Sequence, residues 1–563
     1  MQLLACCKRN SPRAASRFGH LPGRAGERTV SEQMRILSAG SAGMLVELES
    51  LETTLALLDR LLASEVDGVD EVVPGARTVL VRFDPAVIDR AALIERLGQL
   101  DVSVRRERGG SMFDIPVSYV GEDLGEVAEL LGWSVAELVQ RHLDAVHSVA
   151  FTGFAPGFAY MTTDDPGFDV PRRKTPRVRI PAGSVAIAGK FSGIYPSDSP
   201  GGWQLLGTTQ VPMWDATRPR AALLAPGDRV RFRDASKGSA VPVAGWPAPA
   251  PTPVRQVSGT GILVTRADRP VLYQDLGRPR QADQGVSVCG AVDSAALRLA
   301  NACVGNPGSR AALEVMFGGL SLVPDRPVTL AVTGAPCPIS IRDANGRVTV
   351  IPHSRPFAVD AGDEVTLDMP GRGMRSYVAL RGGFVVERTL GSASTDTLSK
   401  IGPAPIVRGD VLVPADEAVT FVEPELPAAR TLPREGDVVD VDVVPGPRTD
   451  WFTNEGVARF LSQEWRVTPE SSRVGMRLSG DLALSRRDDA ELPSEGTLFG
   501  SIQVPHSGQP VVFLTDHPVT GGYPVIAVVA AHHLGMLGQI PIGARIRFNP
   551  ISAFDPQVKE LVR

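Results

Sequence analysis

Hydrophobic and polar positions near the start of the chain follow strand and helix periods in turn. Residues 44–48 form an apolar strand pattern, and leucines between 51 and 62 recur at helical spacing. A strand hairpin, a second helix over 87–97 and a strand at 102–104 follow. The order β-α-β-β-α-β predicts a small ferredoxin-like α/β subdomain over residues 34–110.

Two helices with cap signals then lead into a region of short strands. Asp123 precedes an apolar helical stretch at 124–131, and Ser134 with Glu137 forms a capping box for the next helix. After these helices, strand patterns of a few residues alternate with Gly and Pro. This spacing predicts a closed or nearly closed β-barrel within residues 111–238.

A Pro/Ala-rich linker at 239–258 divides the chain into two halves. The second half is again mostly short strands and turns, with one helix after Asp293 and another around 455–463. We expect one β-rich subdomain over 259–430 and a second barrel over 431–563. The fold class predicted from these patterns is a multi-domain, β-rich α+β protein.

Composition supports this assignment and narrows the function. The 563 residues include 57 Gly and 47 Pro. Their combined share exceeds the usual combined share of about 12%, as expected for a chain with many tight turns. A net charge of −5 argues against a protein that coats nucleic acid or an anionic membrane. Residues 1–33 are rich in Arg, Gly, Ser and Pro and predict a disordered extension.

Cysteine spacing and hydropathy indicate the compartment. The five cysteines include no C-x-x-C pair and no zinc spacing, so neither a disulfide framework nor a structural metal is expected. The first residues lack the basic opening and apolar stretch of a secretory signal, and no apolar run has the length of a membrane span. We therefore predict a cytoplasmic protein that binds neither membrane nor nucleic acid.

Several well-known catalytic signatures nearly match or do not occur. Gly183 to Phe191 resembles a phosphate loop, but it has five residues between its glycines and Phe where Ser or Thr binds magnesium. No dinucleotide fingerprint, zinc-protease motif or nucleophile elbow occurs. His532 and His533 are adjacent, so their rings would diverge on a helix, and no metal site is predicted. None of the six lysines lies in a biotin-attachment context.

The first barrel carries a dense set of candidate binding residues. Gly and Pro between 151 and 160 fix a turn, and the aromatic side chains there form either a ligand wall or a barrel core. The arginines after Pro171 can hold phosphate or carboxylate through their bidentate fork, and a Gly-Gly pair beside Trp can form an anion-binding nest. The candidates are Phe154, Phe158, Tyr160, Arg172, Arg177, Ser184, Gly201, Gly202 and Trp203.

The second half contains acids and arginines embedded in glycine-rich turns. Each stretch alone is more often a turn than a site, but their number exceeds what folding requires. These stretches are 274–278, 301–306, 312–314, 381–383, 390–395, 472–477, 494–496, 503–509 and 520–523.

Together the motifs resemble two companion families. GF-x-PGF-x-Y (153–160), PAGSVAIAG (181–189) and SPGGW (199–203) resemble allophanate hydrolase subunit 1, the family named for the inhibitor of a sporulation histidine kinase. QDLGR (274–278), SSRVGMRL (471–478), IQVPxxGQP (502–510) and TGGYP (520–524) resemble allophanate hydrolase subunit 2. The match covers residues 34–555, although His147 and His517 depart from the family pattern.

The resemblance implies a fold and an activity. The two families are understood as the B and C subunits of the prokaryotic ATP-dependent 5-oxoprolinase, here fused, with cyclophilin-like β-barrels. It implies hydrolysis of 5-oxo-L-proline to L-glutamate with ATP as co-substrate, Mg²⁺, no biotin on this chain, and a separate LamB/YcsF-type 5-oxoprolinase A subunit as partner. A homo-oligomer is left open.

Hydrolysis of an unstrained lactam needs anion-binding groups and a carboxylate base. If ATP phosphorylates the amide oxygen, the carbon becomes a better electrophile for water. We therefore expect the acids in the second-half motifs to be catalytic and its polar side chains to bind substrate or nucleotide. The expected catalytic residues are Asp275, Glu314 and Asp516, and the binding residues are Arg278, Arg473, Arg477 and Gln503.

Two other functions stay open. One is a regulatory module that inhibits a histidine kinase, which would need an apolar protein-facing patch and no nucleotide turnover. The other is a carboxyltransferase or allophanate hydrolase-related component of urea metabolism, since the same motifs resemble the carboxyltransferase region of urea carboxylase. The missing biotin lysine and the missing amidase signature argue against that second alternative.

Overall fold

The computed structural model describes residues 34–102, 109–173, 175–237, 260–422, 430–488 and 490–554, together with a short backbone strand at 560–561. The predicted extension at 1–33 and the whole of the predicted linker at 239–258 lie outside the described residues. Within the described part, no helix combines the length and the apolar character needed to cross a bilayer.

The N-terminal unit is an antiparallel sheet with two helices. Its elements are β1 (Met34–Ser38), β2 (Gly43–Leu48), α1 (Leu51–Ser64), β3 (Val69–Pro74), β4 (Thr78–Phe83) and α2 (Arg90–Gly98). Ser50 caps α1, because its hydroxyl accepts the Thr53 N–H at 3.2 Å. The sheet order is β3-β4-β2-β1-β34, because the C-terminal strand β34 (Glu560–Leu561) pairs with β1. The predicted strand at 102–104 falls largely outside the described residues, and the ferredoxin-like assignment stays a prediction.

The second unit is a nearly closed barrel. A seven-stranded sheet has the order β12-β9-β10-β7-β6-β13-β5, and a bridge between Ser118 and Thr208 brings its two edges together. The barrel predicted from short strands is therefore confirmed. Its elements are β5 (Met112–Val117), α3 (Leu124–Leu131), α4 (Val135–Asp144), β6 (His147–Thr152), β7 (Ala159–Thr163), β8 (Arg177–Ile180), β9 (Ser184–Ala188), β10 (Phe191–Ile194), β11 (Ser199–Gly201), β12 (Gln204–Thr208) and β13 (Arg229–Asp234).

The third unit consists of two sheets around a shared apolar core. The sheet orders are β20-β19-β22-β17-β14-β24 and β15-β16-β23-β18-β21, and α5 packs on β18 and β23. Asp293 caps α5 as predicted, with its carboxylate 3.1 Å from the Ala296 N–H. The elements are β14 (Ile262–Ala267), β15 (Val271–Gln274), α5 (Ser294–Cys303), β16 (Ala312–Met316), β17 (Leu320–Pro324), β18 (Val328–Gly334), β19 (Ile339–Arg342), β20 (Val348–Ile351), β21 (Pro356–Val359), β22 (Glu364–Leu367), β23 (Arg375–Leu380) and β24 (Val411–Leu412).

The fourth unit is a closed barrel of order β25-β32-β29-β30-β27-β26-β33, which confirms the second predicted barrel. A separate pair, β28 and β31, forms an arm that contacts β3 and β4 of the N-terminal unit. The elements are β25 (Val438–Pro445), α6 (Asn454–Ser462), β26 (Trp465–Val467), β27 (Gly475–Ser479), β28 (Glu495–Gly496), β29 (Ser501–Gln503), β30 (Val511–Phe513), β31 (Thr520–Gly521), β32 (Val525–Val529), α7 (Leu534–Leu537) and β33 (Arg545–Pro550). The domain limits drawn from the sequence stay predictions.

Candidate functional site

Aromatic side chains of the first barrel form a wall that faces the arm. Phe158 contacts Tyr160, Tyr195 and Trp203 edge-on, with ring centroids 5.0–5.3 Å apart. Phe154 extends this group, 5.3 Å from Phe158, and is half-buried. The wall includes the aromatic residues expected from the sequence and adds Tyr195, which the sequence analysis did not select. Phe158, Tyr160, Tyr195 and Trp203 are buried in one apolar cluster, as in a barrel core, so a direct ligand contact of the wall stays a prediction.

The turn that carries Phe154 approaches the arm closely. The Phe154 N–H donates to the Thr520 hydroxyl at 2.9 Å. A Cβ atom at Gly153 would lie 2.7 Å from the Thr520 side chain, so only glycine permits this contact. Phe154 itself has φ 62°, a left-handed conformation that a non-glycine residue adopts at some energetic cost. The first barrel and the arm are therefore fitted to each other at this turn.

Arg172 lies between the aromatic wall and the arm. Its Nη2 is 3.4 Å from the Ser494 hydroxyl, and the Tyr160 hydroxyl is 3.5 Å from the same Ser494 oxygen. A Cβ atom at Gly522 would lie 3.3 Å from Arg172 Nη1. Among the described residues, no carboxylate lies within ion-pair distance of the half-buried Arg172 guanidinium. A bound anion can provide the missing counter-charge.

Arg177 belongs to a different arrangement. Its Nη2 lies 2.7 Å from Asp123 Oδ1 and 3.1 Å from Glu122 Oε2, and Arg173 Nη1 lies 2.6 Å from the same Asp123 oxygen. Burial raises the pKa of Asp123, but Arg177, the Leu205 N–H and Arg173 outweigh it and leave this pKa below its usual value. Arg177 is therefore already neutralised, and its binding role stays a prediction. Asp123 does not cap α3, contrary to the sequence prediction, because its oxygens accept these bonds.

The other first-half candidates support the wall. The Ser184 hydroxyl is buried and donates to the Pro181 carbonyl at 2.8 Å. Gly201 passes so close to Tyr195 that a Cβ atom would lie 2.3 Å from the phenol oxygen, and the Gly202 carbonyl accepts the Arg173 N–H at 2.8 Å. Their direct contact with a ligand stays a prediction.

Glu314, Arg473 and Asp516 form a buried ion cluster in the second half. Arg473 Nη1 lies 2.5 Å from Glu314 Oε1, and its Nε and Nη2 lie 3.1 and 2.9 Å from the two Asp516 oxygens. Tyr377 donates to Glu314 Oε2 at 2.8 Å, and Arg375 Nε lies 3.3 Å from Oε1. Burial raises the pKa of Glu314, but Arg473, Arg375 and Tyr377 together hold this pKa below its ordinary value.

Asp516 is also fixed from its other side. The Thr397 N–H and hydroxyl donate to its Oδ2 at 2.9 and 2.7 Å, and Cys289 Sγ lies 3.1 Å from Oδ1. Burial, followed by the charge of Asp516, raises the pKa of the neighbouring Asp396 to about 6. Glu314 and Asp516 therefore have saturated contacts, which favour positioning over proton transfer. Their catalytic assignment stays a prediction.

Asp275 and Arg278 organise the loop at 390–395. Asp275 Oδ1 accepts bonds from the hydroxyls of Ser392 and Ser394, both at 2.6 Å, and Oδ2 accepts the Ala393 N–H at 2.8 Å. Arg278 is buried and donates to the Ser394 carbonyl, while its Nε and Nη1 have no hydrogen-bond partner among the described residues. Asp275 is saturated by protein donors, whereas Arg278 keeps unused donors.

Gln503 and Arg477 occupy different environments. Gln503 is buried and donates to the Tyr523 carbonyl at 3.1 Å, which shapes the turn after β31. Arg477 is exposed on β27, and the structure does not bring its side chain to either group. The candidates thus divide into a face around Arg172 and an internal cluster around Arg473.

A second ion network, which the sequence analysis did not find, ties the arm to the N-terminal unit. Arg448 Nε lies 2.9 Å from Glu495 Oε1, and its Nη2 lies 2.8 Å from Glu47 Oε1. Glu47 also pairs with Arg35 at 3.0 Å. No motif marked Arg448 or Glu47, whereas Ser494 and Thr520 stood in quoted motifs without being chosen as site residues.

The implied ATP and Mg²⁺ place different demands on these groups. The unpaired Arg172 guanidinium fits a phosphoryl or carboxylate anion. Among the described residues, the one group with the geometry to hold a cation is Asp442, His532 and His533, two of whose three donors are imidazoles. Mg²⁺ prefers oxygen ligands, so this group does not fit it. The face around Arg172 can therefore bind an anionic part of a nucleotide or substrate, and the expected Mg²⁺ stays a prediction.

Comparisons with known proteins agree with the two-half organisation. The model "Carboxyltransferase domain, subdomain C and D" matches residues 34–224, and "Carboxyltransferase domain, subdomain A and B" matches 284–550. The chain is 40% identical over 177 residues to the 5-oxoprolinase B subunit of Haemophilus influenzae, covering 31% of this chain and 82% of the relative. It is 35% identical over 296 residues to the 5-oxoprolinase C subunit of Escherichia coli, covering 51% and 90%.

A solved structure covers both halves at once. The crystal structure of TTHA0988 superposes with a TM-score of 0.77 at 33% identity, over 90% of this chain and 99% of that one. The predicted resemblance to the fused pair is confirmed by these matches. The chain belongs to the carboxyltransferase-domain family and carries its C/D and A/B halves, in that order, in one polypeptide.

Proposed function

We propose that this chain is the fused B and C component of an ATP-dependent 5-oxoprolinase, which hydrolyses 5-oxo-L-proline to L-glutamate with a separate LamB/YcsF-type A subunit. One observation carries the proposal: the unpaired Arg172 guanidinium lies where the aromatic wall of the B-like half meets Ser494 of the C-like half. The relatives named as B and C subunits match these two halves separately. A face built from both halves is expected for an enzyme related to both the B subunit and the C subunit.

The chemistry assigns a task to each residue at this face. When bound, ATP supplies the phosphoryl group that activates the lactam oxygen. Arg172 neutralises an anionic group of the substrate or nucleotide, because its fork pairs with carboxylates and phosphates. The hydroxyls of Tyr160 and Ser494, 3.5 Å apart, provide donors for charge that develops on the lactam oxygen. The aromatic wall excludes water from one side of the ring.

The test uses the full chain with and without the A-type partner, supplied with ATP, Mg²⁺ and 5-oxo-L-proline. L-Glutamate and ADP are measured in the same samples over time. We expect glutamate only when both proteins and ATP are present, with ADP formed in step. ADP without glutamate would point to a related lactam substrate, and neither product from a folded pair would contradict the proposal.

Carboxyl transfer is a second candidate, favoured by the name of the matching family model. If carboxyl transfer is the function, the chain should accelerate the loss of the carboxyl group from free N-carboxybiotin when urea is added. The oxoprolinase proposal expects no such acceleration. The two assays therefore separate the candidates with the same protein preparation.

A further inference from the structure

A cavity of about 260 Å³ lies beside the arm, and its lining includes neither Arg172 nor any residue of the aromatic wall. It is enclosed by the β1–β2 turn of the N-terminal unit, by the segment 282–289 and by the second barrel. Its mouth is bordered by the exposed residues Ser41 and Ala531. Most of the lining is apolar and includes Val73, Val286 and Val519. The proposed oxoprolinase face does not use this space.

Arg82 enters this cavity with unmet hydrogen-bonding capacity. Its buried Nε has no hydrogen-bond partner among the described residues. Its closest carboxylate oxygens belong to Glu71, 3.7 Å from Nη1, and Asp70, 3.8 Å from Nε, both beyond hydrogen-bond length. A buried guanidinium donor without a partner is costly, and an additional acceptor in the cavity would relieve that cost.

Glu71 and His517 provide acceptors in the same cavity. Glu71 Oε1 accepts the Ala282 N–H at 3.3 Å, which leaves Oε2 toward Arg82. Burial raises the pKa of Glu71, and Arg82 with nearby backbone N–H groups offsets this only in part, so its carboxylate is incompletely compensated. His517 Nδ1 lies 2.9 Å from the Pro518 carbonyl, which can only accept. The proton therefore sits on Nδ1, and Nε2 carries a lone pair.

The cavity thus combines one cation with free donors, one incompletely compensated carboxylate, one imidazole lone pair and apolar walls. We propose that it binds a zwitterionic α-amino acid with a compact apolar side chain. The carboxylate of the ligand pairs with Arg82, and its ammonium donates to Glu71 and His517. The apolar side chain packs against Val73, Val286 and Val519. Within the cavity lining, Arg82 and Glu71 face one carboxylate and one ammonium of the ligand, while Asp70, 3.8 Å from Arg82 Nε, is exposed and lies outside the lining.

This site is independent of the proposed oxoprolinase activity, and binding alone tests it. The probe is L-leucine, followed by saturation-transfer NMR and calorimetry on the full chain. 4-Methylpentanoate is leucine without the ammonium, and 3-methylbutylamine is leucine without the carboxylate. We expect each analogue to bind at least about tenfold more weakly than L-leucine, since each loses one charged pair.

Chain variants locate the binding. Arg82→Gln and Glu71→Gln should each weaken L-leucine binding about tenfold or more, while Arg172→Ala, outside the cavity lining, should leave it within about twofold. Ser41→Trp, an exposed substitution at the mouth, should block entry without disturbing the core. Circular dichroism and unfolding temperature confirm that each variant is folded.

Other results would overturn the proposal. The first is the absence of saturable L-leucine binding at about 10 mM. The second is equal affinity for L-leucine and the two analogues. The third is binding that is lost in Arg172→Ala but kept in folded Arg82→Gln and Ser41→Trp.

Discussion

The guanidinium of Arg473 reaches Glu314 across 159 positions of sequence, with 2.5 Å between Nη1 and Oε1. Glu314 lies on β16 of the two-sheet unit, and Arg473 lies between β26 and β27 of the second barrel. Both side chains are buried. The pair therefore fixes the orientation of these two units relative to each other.

Removing the charge of Glu314 should destabilise the chain strongly. In Glu314→Gln the buried Arg473 keeps only Asp516 as a charged partner, and breaking a buried pair costs about 3–5 kcal/mol. We expect a loss of that size in the free energy of unfolding, measured by urea denaturation. The control is Asp198→Asn, which removes the exposed pair with Arg179 and should have a much smaller effect, because water screens that pair. Equal effects from the two substitutions would contradict this role.

His147 should make the first barrel sensitive to acid. Its ring is buried 4.8 Å from His142 and 4.9 Å from Phe232, and burial lowers its pKa from 6.5 to about 4. Between these values the unfolded chain binds more protons than the folded one, so stability falls as pH drops below 6.5.

His147→Phe removes this dependence for one of the two buried histidines. We expect the unfolding temperature to fall less between about pH 7.5 and about pH 5 in the variant than in the parent. His142 keeps part of the effect, because burial also lowers its pKa. His506→Phe, at an exposed position, serves as the control and should leave the pH profile unchanged. An unchanged profile in His147→Phe would rule the mechanism out.

The three cysteines of the described chain should resist alkylation in the folded protein. Burial and the charge of Asp516 raise the pKa of Cys289 well above its usual value, and burial raises the pKa of Cys303 to about 11 and also that of Cys337. Thiolate is the reactive form, so iodoacetamide at about pH 7.5 should label none of them. Mass spectrometry of a Cys6→Ser/Cys7→Ser variant checks this, and denaturant should restore three labels. Rapid native labelling of Cys289 would be the opposite result.

Arg172 should be needed for the proposed activity, and a neighbouring arginine should not. Arg172→Ala removes the one guanidinium at the described face without an ion pair, and loss of such a charged contact costs at least about tenfold in kcat/KM. Arg179→Ala removes an exposed arginine of the same segment that pairs with Asp198. The coupled glutamate assay with the A-type partner should therefore distinguish the two variants. Equal losses of kcat/KM in the two variants would argue against a specific role for Arg172.

Asp275→Asn separates a positioning role from a catalytic one. The carboxylate accepts hydrogen bonds from two serine hydroxyls and two backbone N–H groups. In asparagine an NH2 group replaces one carboxylate oxygen, and this donor cannot accept those bonds. We expect a fall in unfolding temperature with kcat reduced in proportion to the folded fraction. If Asp275 is the base, kcat should instead fall by about a hundredfold or more at unchanged stability.

Helices were predicted well where their sequence pattern depends only on neighbouring residues. The leucine spacing after residue 51 and the cap residues Ser134 and Asp293 mark helices that depend on neighbouring positions only. Asp123 looked like a cap by the same reasoning. Its carboxylate instead binds Arg173 and Arg177, about 50 positions later in the chain, and no local pattern reveals that competition.

The sequence predicted which residues could form the site, but not how they are arranged in space. The motifs contained Arg172, Tyr160 and Ser494, yet the contact between Arg172 and Ser494 joins positions 322 apart. Which arginine is left unpaired depends on where each acid lies in space. The sequence therefore proposed Arg172 and Arg177 equally, and only the fold distinguishes them.

The contact between Arg448 and Glu47 joins the part of the chain that matches the C/D model to the part that matches the A/B model. Because one polypeptide carries both, their encounter is a first-order event whose rate does not depend on the protein concentration. Dilution cannot separate the two parts, and each is synthesised in equal amount. The face around Arg172 is consequently present in every molecule, at any protein concentration.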